Sequence, residues 1–449
     1  MKDELTINQN YVLRKGLDDQ YSLYNKSIQK RYELSYKLFF ILNLFRHSSL
    51  SLGYVKEKFE NMGINMDDFL VFLRNPEFID LLVPTKESFC IPDFYKDKKN
   101  LSPLTEISPG RIDFVITKHC NLACKHCFEG ASPKFGIREY GIDVFSRIFS
   151  EFDRINLKTL KITGGEPFTV PNFDQILLEL SKRHFETIVL TNGMLIKDRD
   201  IEILRLGDIH LGISLDGLDS ETHDFTRGKG AFDVISRQLL RLRDAGVKFG
   251  ITCSINKRNF YQIRDMISFT LDFLRAEVLF LNCLRPVGRA GDNKNLFLSE
   301  DESQEVYRVY NEAHKKYGRR LELSDDLSLV EKEKSDIIAC SAGNSILAMD
   351  ENLDIYPCFY AFDHEEYVIG NLLHESIDDI WRSSKLDRFR GITRLNDLDD
   401  CPKCQFKKQC ALKNCRLKPV FEGKKFTSSV SYCKRNALEH YCPKKFSQT

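Results

Sequence analysis

Several things are missing from this chain of 449 residues, and each absence narrows what it can be. There is no excess of charge of either sign. The 66 Lys and Arg are matched by 65 Asp and Glu, so no bulk positive field exists to hold nucleic acid or an anionic membrane, and neither is expected as a partner. No uncharged apolar run approaches the roughly 20 residues that a membrane-spanning helix needs. The start, "MKDELTINQN", lacks the apolar centre of a secretory signal, which makes the cytoplasm the expected compartment. No repeat of fixed period is present, which sets aside a solenoid. What remains is a chain with 42% apolar residues, ample for two or three domains with cores of their own.

Cysteine is abundant. Fourteen are present, and in a chain without an export signal they are expected to be reduced ligands rather than disulfides, because the cytosol keeps thiols reduced. Their placement agrees. Three lie within "TKHCNLACKHCFEG" (Cys120, Cys124, Cys127), eight lie between Cys340 and Cys442, and only Cys90, Cys253 and Cys283 stand apart as expected small buried hydrophobes.

Residues 1–92 read as a separate module. "YVLRKG" and "YSLYNK" flank "LDDQ" as a hairpin, and three stretches with helical spacing of apolar residues follow, a pattern that suggests a winged-helix-like fold. Acids and bases nearly cancel in this segment, which argues against DNA as its partner. After the linker-like "DFYKDKKNLSP", residues 108–335 alternate apolar runs ("RIDFVIT", "LKTLKIT", "ETIVLT", "IHLGISL", "KFGITCSI", "EVLFLNC") with amphipathic stretches. That rhythm predicts βαβ units, a parallel sheet and a partial TIM-type (β/α)6 barrel, an α/β fold whose chemistry gathers in the loops after the strands. The three-cysteine loop follows the first strand, "GGEP" the second, "TNG" the third and "SLDG" the fourth. Residues 336–449 lose apolar periodicity and gain cysteine and lysine, as expected of a segment in which metal sites replace part of the core.

Three cysteines at spacing x3 then x2 suit three corners of a cubane cluster and leave one iron without a protein ligand; a zinc knuckle completed by a distant cysteine or by His126 is the alternative. The spacing resembles the CxxxCxxC signature of the radical SAM superfamily, with Cys120, Cys124 and Cys127 on its positions. The resemblance implies a 4Fe-4S cluster whose open iron is chelated by S-adenosyl-L-methionine, which the reduced cluster cleaves to a deoxyadenosyl radical. "TGGEP" matches the family segment that contacts the methionine amino group, so Gly164, Gly165, Glu166 and Pro167 are candidate cofactor contacts. The glycines allow close approach of the backbone to a ligand, Glu166 offers acceptors to an ammonium group, and Pro167 opens the next helix. Ser214, Asp216 and Arg227 resemble positions that hold the ribose hydroxyls or the methionine carboxylate. An ordinary strand-to-turn role is the alternative for each. "PVGRA", residues 286–290, resembles the segment after the sixth strand of related enzymes.

The C-terminal "CPKCQFKKQC" resembles the SPASM extension, which carries two auxiliary iron-sulfur clusters. By that resemblance Cys401, Cys404, Cys410 and Cys433 hold the second cluster. Cys340, Cys358 and Cys415 give three ligands to the first, whose fourth is either Cys442 or an open position. The pattern departs from the family at Leu353, where a glycine is usual, and in the x4 between Cys410 and Cys415. Zinc is the alternative for CxxC pairs. Residues 401–449 hold only two acids, Glu422 and Glu439, among many lysines, cations that would favour thiolates.

A radical enzyme of this architecture resembles maturases of ribosomally made peptides. In that resemblance the N-terminal module binds the leader of a precursor peptide as an added strand, the barrel abstracts hydrogen from the core peptide, and a thioether, a carbon-carbon crosslink or a related change follows. Flavodoxin or ferredoxin is the expected reductant. The runners-up are an anaerobic sulfatase maturase, which places an Asp where this chain has Phe359, and a non-enzymatic iron-sulfur redox sensor.

Overall fold

A computed structural model describes residues 108–324 apart from 156, 208 and 285–287; 340–402 apart from 363, 393, 394 and 400; and 415–428 apart from 422. Among the first hundred residues it describes the five strands given below and positions 35, 38, 42, 71–75, 78 and 81. The chain divides into two compact units, Met1–Leu101 and Ser102–Thr449.

In the first unit, β1 (Leu5–Ile7) pairs antiparallel with β5 (Leu82–Pro84), while β2 (Tyr11–Lys15), β3 (Tyr21–Asn25) and β4 (Lys30–Leu34) form an antiparallel sheet in that order. The expected hairpin is present, in the register Leu13 opposite Leu23, and both leucines are buried. The β1/β5 pair is not legible in the sequence, because both strands are three residues long and each gains its pairing from a segment far away in the chain; β4, which pairs with the preceding β3, is not expected either. Most of the three expected helices lie outside the described residues.

The second unit is built on one sheet of ten strands. β6 (Arg111–Thr117), β7 (Thr159–Gly164), β8 (Glu186–Thr191), β9 (Ile209–Ser214), β10 (Phe249–Ile255), β11 (Leu279–Cys283) and β12 (Leu321–Leu323) lie side by side in sequence order, all parallel. This is a partial (β/α) barrel. The six expected strands are all there, and the short β12 adds a seventh. Strand alternation divides the two faces: Ile112, Phe114 and Ile116 of β6 point into the main core, whereas Val115 belongs to a different apolar cluster.

The helices α1 (Ile142–Arg154), α2 (Phe173–Ser181), α3 (Asp198–Leu206), α4 (Ser220–Arg227), α5 (Ala231–Asp244), α6 (Ile263–Ser268) and α7 (Glu300–Tyr317) connect or follow the strands. α1 shows why. Phe145, Ile148, Phe149 and Phe152 recur at helical spacing and are all buried, and Phe149 and Phe152 meet Phe185 edge-on at 6.4 and 6.2 Å. Each such side chain contributes about 1.5–3 kcal/mol by leaving water. Among the described residues no helix is long and apolar enough to cross a membrane.

On its other edge the sheet continues past residue 336 without a break. β13 (Ile346–Met349) pairs parallel with β6, and β14 (Asp354–Tyr356) and β15 (Gly370–Asn371) follow antiparallel. Among the described residues this part also holds the short helices α8 (Ile377–Arg382), α9 (Asp387–Arg390) and α10 (Leu417–Phe421). It is also tied to α1: Arg147 donates to Leu372 O at 3.0 Å, and the Ile377 amide donates to Glu151 Oε2 at 2.9 Å.

Leu353, the residue that stands where the SPASM pattern has glycine, adopts φ +66° in the β13–β14 turn and is fully buried in the main core. The family's glycine is thus explained by a left-handed turn. This chain places a leucine there against a backbone cost of about 1–2 kcal/mol and regains it by burial. Leu353→Gly should relieve the turn but vacate a core site worth about 2–5 kcal/mol. The net expectation is a loss of about 1–3 kcal/mol in urea unfolding; a stabilised variant would show that the turn, not the core, dominates.

Candidate metal and cofactor site at the strand ends

The three-cysteine loop leaves the end of β6, and many of its contacts are made by its main chain. The Cys120 amide donates to Ser132 O at 3.3 Å, the Lys125 amide to Thr226 O at 2.8 Å, and the Cys127 amide to Cys124 O at 3.2 Å. The carbonyls are gathered by Arg289, from the "PVGRA" segment: its Nε donates to Cys124 O at 2.8 Å, Nη1 to Gly130 O at 2.6 Å and Nη2 to Ala131 O at 2.7 Å. The Arg289 amide also donates to Cys127 O at 3.0 Å. A planar guanidinium with five donors suits such a cluster of carbonyls, and a lysine does not. The sequence marked this segment by resemblance but gave no role to the arginine. Only the fold brings it 165 residues back to Cys124. Arg289→Ala should therefore cost about 3 kcal/mol or more, since hydrogen bonds to charged groups contribute about 1.5–3 kcal/mol each. Iron bound per chain after anaerobic reconstitution should fall below wild type, with Arg289→Lys giving only partial rescue. Wild-type iron content in Arg289→Ala would show that the loop does not depend on this clamp.

The GGEP loop lies against the cysteine loop. The Gly165 amide donates to Thr117 O at 2.6 Å and the Glu166 amide to His119 O at 2.8 Å. A Cβ on Gly164, at φ +131°, would stand 2.3 Å from Thr117 O, and one on Gly165 would stand 1.9 Å from His119 O. The expectation was that these glycines admit a ligand. What they admit, among the described residues, is the backbone of the neighbouring loop.

Glu166 is fully buried, and its carboxylate joins this loop to the next: Oε1 accepts from Thr191 Oγ1 at 2.7 Å and from the Phe168 amide at 3.2 Å, and Oε2 accepts from the Asn192 amide at 2.7 Å. Burial pushes its acid up to about 7, against the opposing pull of those three donors. Three of its roughly four acceptor sites are occupied, leaving little for an ammonium group. Pro167 opens a three-residue 3₁₀ turn, with α2 beginning only at Phe173. Asn192 Nδ2 donates to Asn121 Oδ1 at 2.8 Å, so the TNG loop also reaches the cysteine loop.

Asp216 and Arg227 meet each other. Arg227 Nε donates to Asp216 Oδ2 at 2.7 Å, and both side chains are buried. Asp216 Oδ1 accepts from the Ser254 amide at 2.8 Å. Burial alone would raise this carboxyl, but the charge of Arg227, aided by His126 and His223, holds it down at about 2. His126 lies with Nε2 at 3.4 Å from Asp216 Oδ2, and burial lowers its own basicity to about 4. The histidine named as an alternative zinc ligand is thus turned to Asp216 through this nitrogen. Ser214 ends β9, half-buried, in register with Thr252 of β10.

Cys120, Cys124 and Cys127 are free thiols that influence one another electrostatically. Burial pushes Cys120 up to about 12 and raises Cys124, so bound metal charge is what would render these two thiolates. Among the described residues no three His, Cys, Asp or Glu side chains gather around one point as a single ion requires. Thiols that bind separate irons of a cubane have no such requirement, and the donor set fits a 4Fe-4S cluster.

A second group of thiols lies beyond β13. Cys358 belongs to an apolar cluster with Val115, Tyr356, Phe389 and Leu417, and Cys340, Cys415, Phe359 and Tyr360 pack against it. Burial and the neighbouring Cys340 and Cys415 raise the Cys358 thiol well above its usual range. The three residues assigned by resemblance to the first auxiliary cluster are therefore neighbours in space. Cys401 is buried beside Leu398, with Cys340 packed against that pair. Cys404, Cys410, Cys433 and Cys442 lie outside the described residues.

Comparisons with known proteins agree with this geometry. The radical SAM superfamily model matches residues 114–270, and the SPASM iron-sulfur cluster-binding domain model matches residues 340–411. The antilisterial bacteriocin subtilosin biosynthesis protein AlbA of Bacillus subtilis is 28% identical over 74% of this chain and 72% of its own. The mycofactocin maturase MftC of Mycolicibacterium smegmatis is 28% identical over 66% and 76%. Among solved structures, Streptococcus suis SuiB bound to S-adenosylmethionine superposes with TM-score 0.68 at 19% identity over 96% of this chain and all of that one. The structure of anSMEcpe with bound AdoMet and the Cp18Cys peptide superposes with TM-score 0.56 at 18% identity over 74% and 96%. Residues 114–270 thus form a radical SAM domain and residues 340–411 a SPASM iron-sulfur cluster-binding domain.

Proposed function

We propose that this enzyme matures a ribosomally made precursor peptide by radical chemistry. The observation that carries the reading is the pairing, in one compact unit, of the Cys120/Cys124/Cys127 loop with a second three-thiol site at Cys340, Cys358 and Cys415. Cys120, Cys124 and Cys127 would hold a 4Fe-4S cluster, which would supply the single electron needed for reductive cleavage of S-adenosylmethionine. The chain's own residues set the conditions. Arg289 and the GGEP backbone hold the loop rigid, the buried Asp216–Arg227 pair keeps the loop after β9 in place, and Ser214 stands at the strand end to meet the cosubstrate.

The names of the relatives support a peptide as substrate: a bacteriocin biosynthesis protein, the mycofactocin maturases, and SuiB, solved with its precursor peptide SuiA. The leader would add as a strand to the N-terminal sheet, in which β2 and β4 are the outer strands. Cys401, Cys404, Cys410 and Cys433 would hold the second auxiliary cluster, and flavodoxin or ferredoxin would supply electrons in the cytoplasm. A sulfatase maturase is disfavoured by Phe359, whose ring sits at 5.5 Å from that of Phe128 where a general base would be needed.

The test is anaerobic. Reconstituted protein given dithionite and S-adenosylmethionine should release deoxyadenosine, and a precursor peptide encoded beside the gene should then lose mass by whole hydrogens. A redox sensor would hold iron and release none. Protein that binds only zinc, or that releases no deoxyadenosine with a full complement of iron, sinks the proposal.

A further inference from the structure

We infer that Phe128, Phe359 and Tyr360 are positioning residues that fix the barrel iron-sulfur site and the first auxiliary site at one spacing. The inference rests on the functional reading above. Phe128 directly follows Cys127, while Phe359 and Tyr360 directly follow Cys358. These rings meet. Phe128 stands edge-on to Phe359 at 5.5 Å and 70°, and edge-on to Tyr360 at 5.6 Å and 77°; Phe359 and Tyr360 are themselves 4.5 Å apart. Edge-to-face geometry puts the positive rim of one ring on the negative face of another, so the contact prefers one orientation rather than merely excluding water.

Both ends of this contact are anchored. On the barrel side, Gly288 at φ +56° lies so close that a Cβ there would stand 2.2 Å from Phe128 O and 2.4 Å from Cys127 O, while the Arg289 amide donates to Cys127 O at 3.0 Å. The Cys127–Phe128 peptide therefore has little freedom to shift. On the other side Phe359 and Tyr360 begin a 3₁₀ turn, closed by the Ala361 amide on Cys358 O at 3.0 Å, and they pack on the cluster that holds Cys358 and Val115. A ring one residue from a ligand on each loop transmits the position of one cysteine to the other. The sheet pairing of β13 with β6 joins the two parts of the unit, but it acts several residues away from either cysteine.

All three rings are half-buried, so substituting one removes contact without opening a large core cavity. The experiment uses full-length protein, reconstituted with iron and sulfide and reduced with dithionite, read by iron per chain and by electron paramagnetic resonance. Wild type should show a magnetic interaction between the reduced barrel and auxiliary clusters. Phe128→Ala should keep wild-type iron content and lose that interaction, and Phe128→Tyr should retain it. Phe359→Ala, on the opposite side of the contact, should reproduce the loss and decides the matter if Phe128→Ala sheds iron. The inference is overturned if the alanine variants that hold full iron keep the wild-type interaction, or if the iron-loaded wild type has magnetically independent clusters. Failure of the wild type to bind iron at Cys120, Cys124 and Cys127 would sink the functional reading instead.

Discussion

Asp216→Ala should lower the stability of the folded protein by about 3–5 kcal/mol, because it leaves the guanidinium of Arg227 buried and without its countercharge. The pair is made at 2.7 Å, with Asp216 fully buried, so water cannot replace the lost partner without opening the strand ends. The carboxylate also holds the Ser254 amide of β10, and that donor would be orphaned as well. Urea unfolding of the metal-free protein measures the cost. The double variant Asp216→Ala with Arg227→Leu should recover part of it, since removing both charges is cheaper than removing one.

The same pair predicts a pH dependence whose sign follows from linkage. Asp216 titrates near 2 when folded against 3.8 in its ordinary state, so its contribution is fully present above about pH 4 and is lost as pH falls toward 2. The stability gap between wild type and Asp216→Ala should therefore be flat near neutrality and narrow on acidification. A gap that stays constant down to pH 2, or a single variant as stable as wild type, would mean that the pair is not formed.

Gly165→Ala should abolish assembly of the barrel site. The added methyl would stand 1.9 Å from His119 O, and the obstacle is backbone, which cannot swing aside as a flexible side chain would. Relief requires the GGEP loop to withdraw from the cysteine loop, breaking the bonds from Gly165 to Thr117 O and from Glu166 to His119 O. The cost is about 3 kcal/mol or more. Iron held by the Cys120 loop and deoxyadenosine released from S-adenosylmethionine should both fall to background. Gly136→Ala, in the cysteine loop between β6 and α1, is the control, because a Cβ there meets nothing within 4 Å. Equal iron content in the two variants would show that the loops need not touch.

Much of the fold was legible in the sequence because its signals are local. A strand buried on both faces reads as an apolar run such as "RIDFVIT", and that run is β6 residue for residue. The ligand cysteines were legible for a related reason: a cluster needs several thiols within a short reach, and a loop of eight residues provides three. Short elements were not legible. β12 and β15 are three and two residues long, and only their neighbours in the sheet make them strands.

The candidate site divides in the same way. Gly165 reads as a place of close approach, but the partner that approaches, His119 O, is supplied by the loop that follows another strand, β6. Asp216 and Arg227 were read as separate contacts to a cosubstrate, and the structure pairs them, because 11 residues of turn and helix bring one onto the other. Arg289 lies in a segment marked only by resemblance, and nothing local to it signals its role. The chemistry was determined by the sequence alone, since residue type and spacing decide which groups can ligate iron. The geometry was decided by tertiary structure: which carbonyl each donor finds, which charge neutralises which, and which rings join the two thiol sites. Hydrogen bonds, ion pairs and ring contacts form between segments far apart in the chain, and their partners are settled only when the core closes.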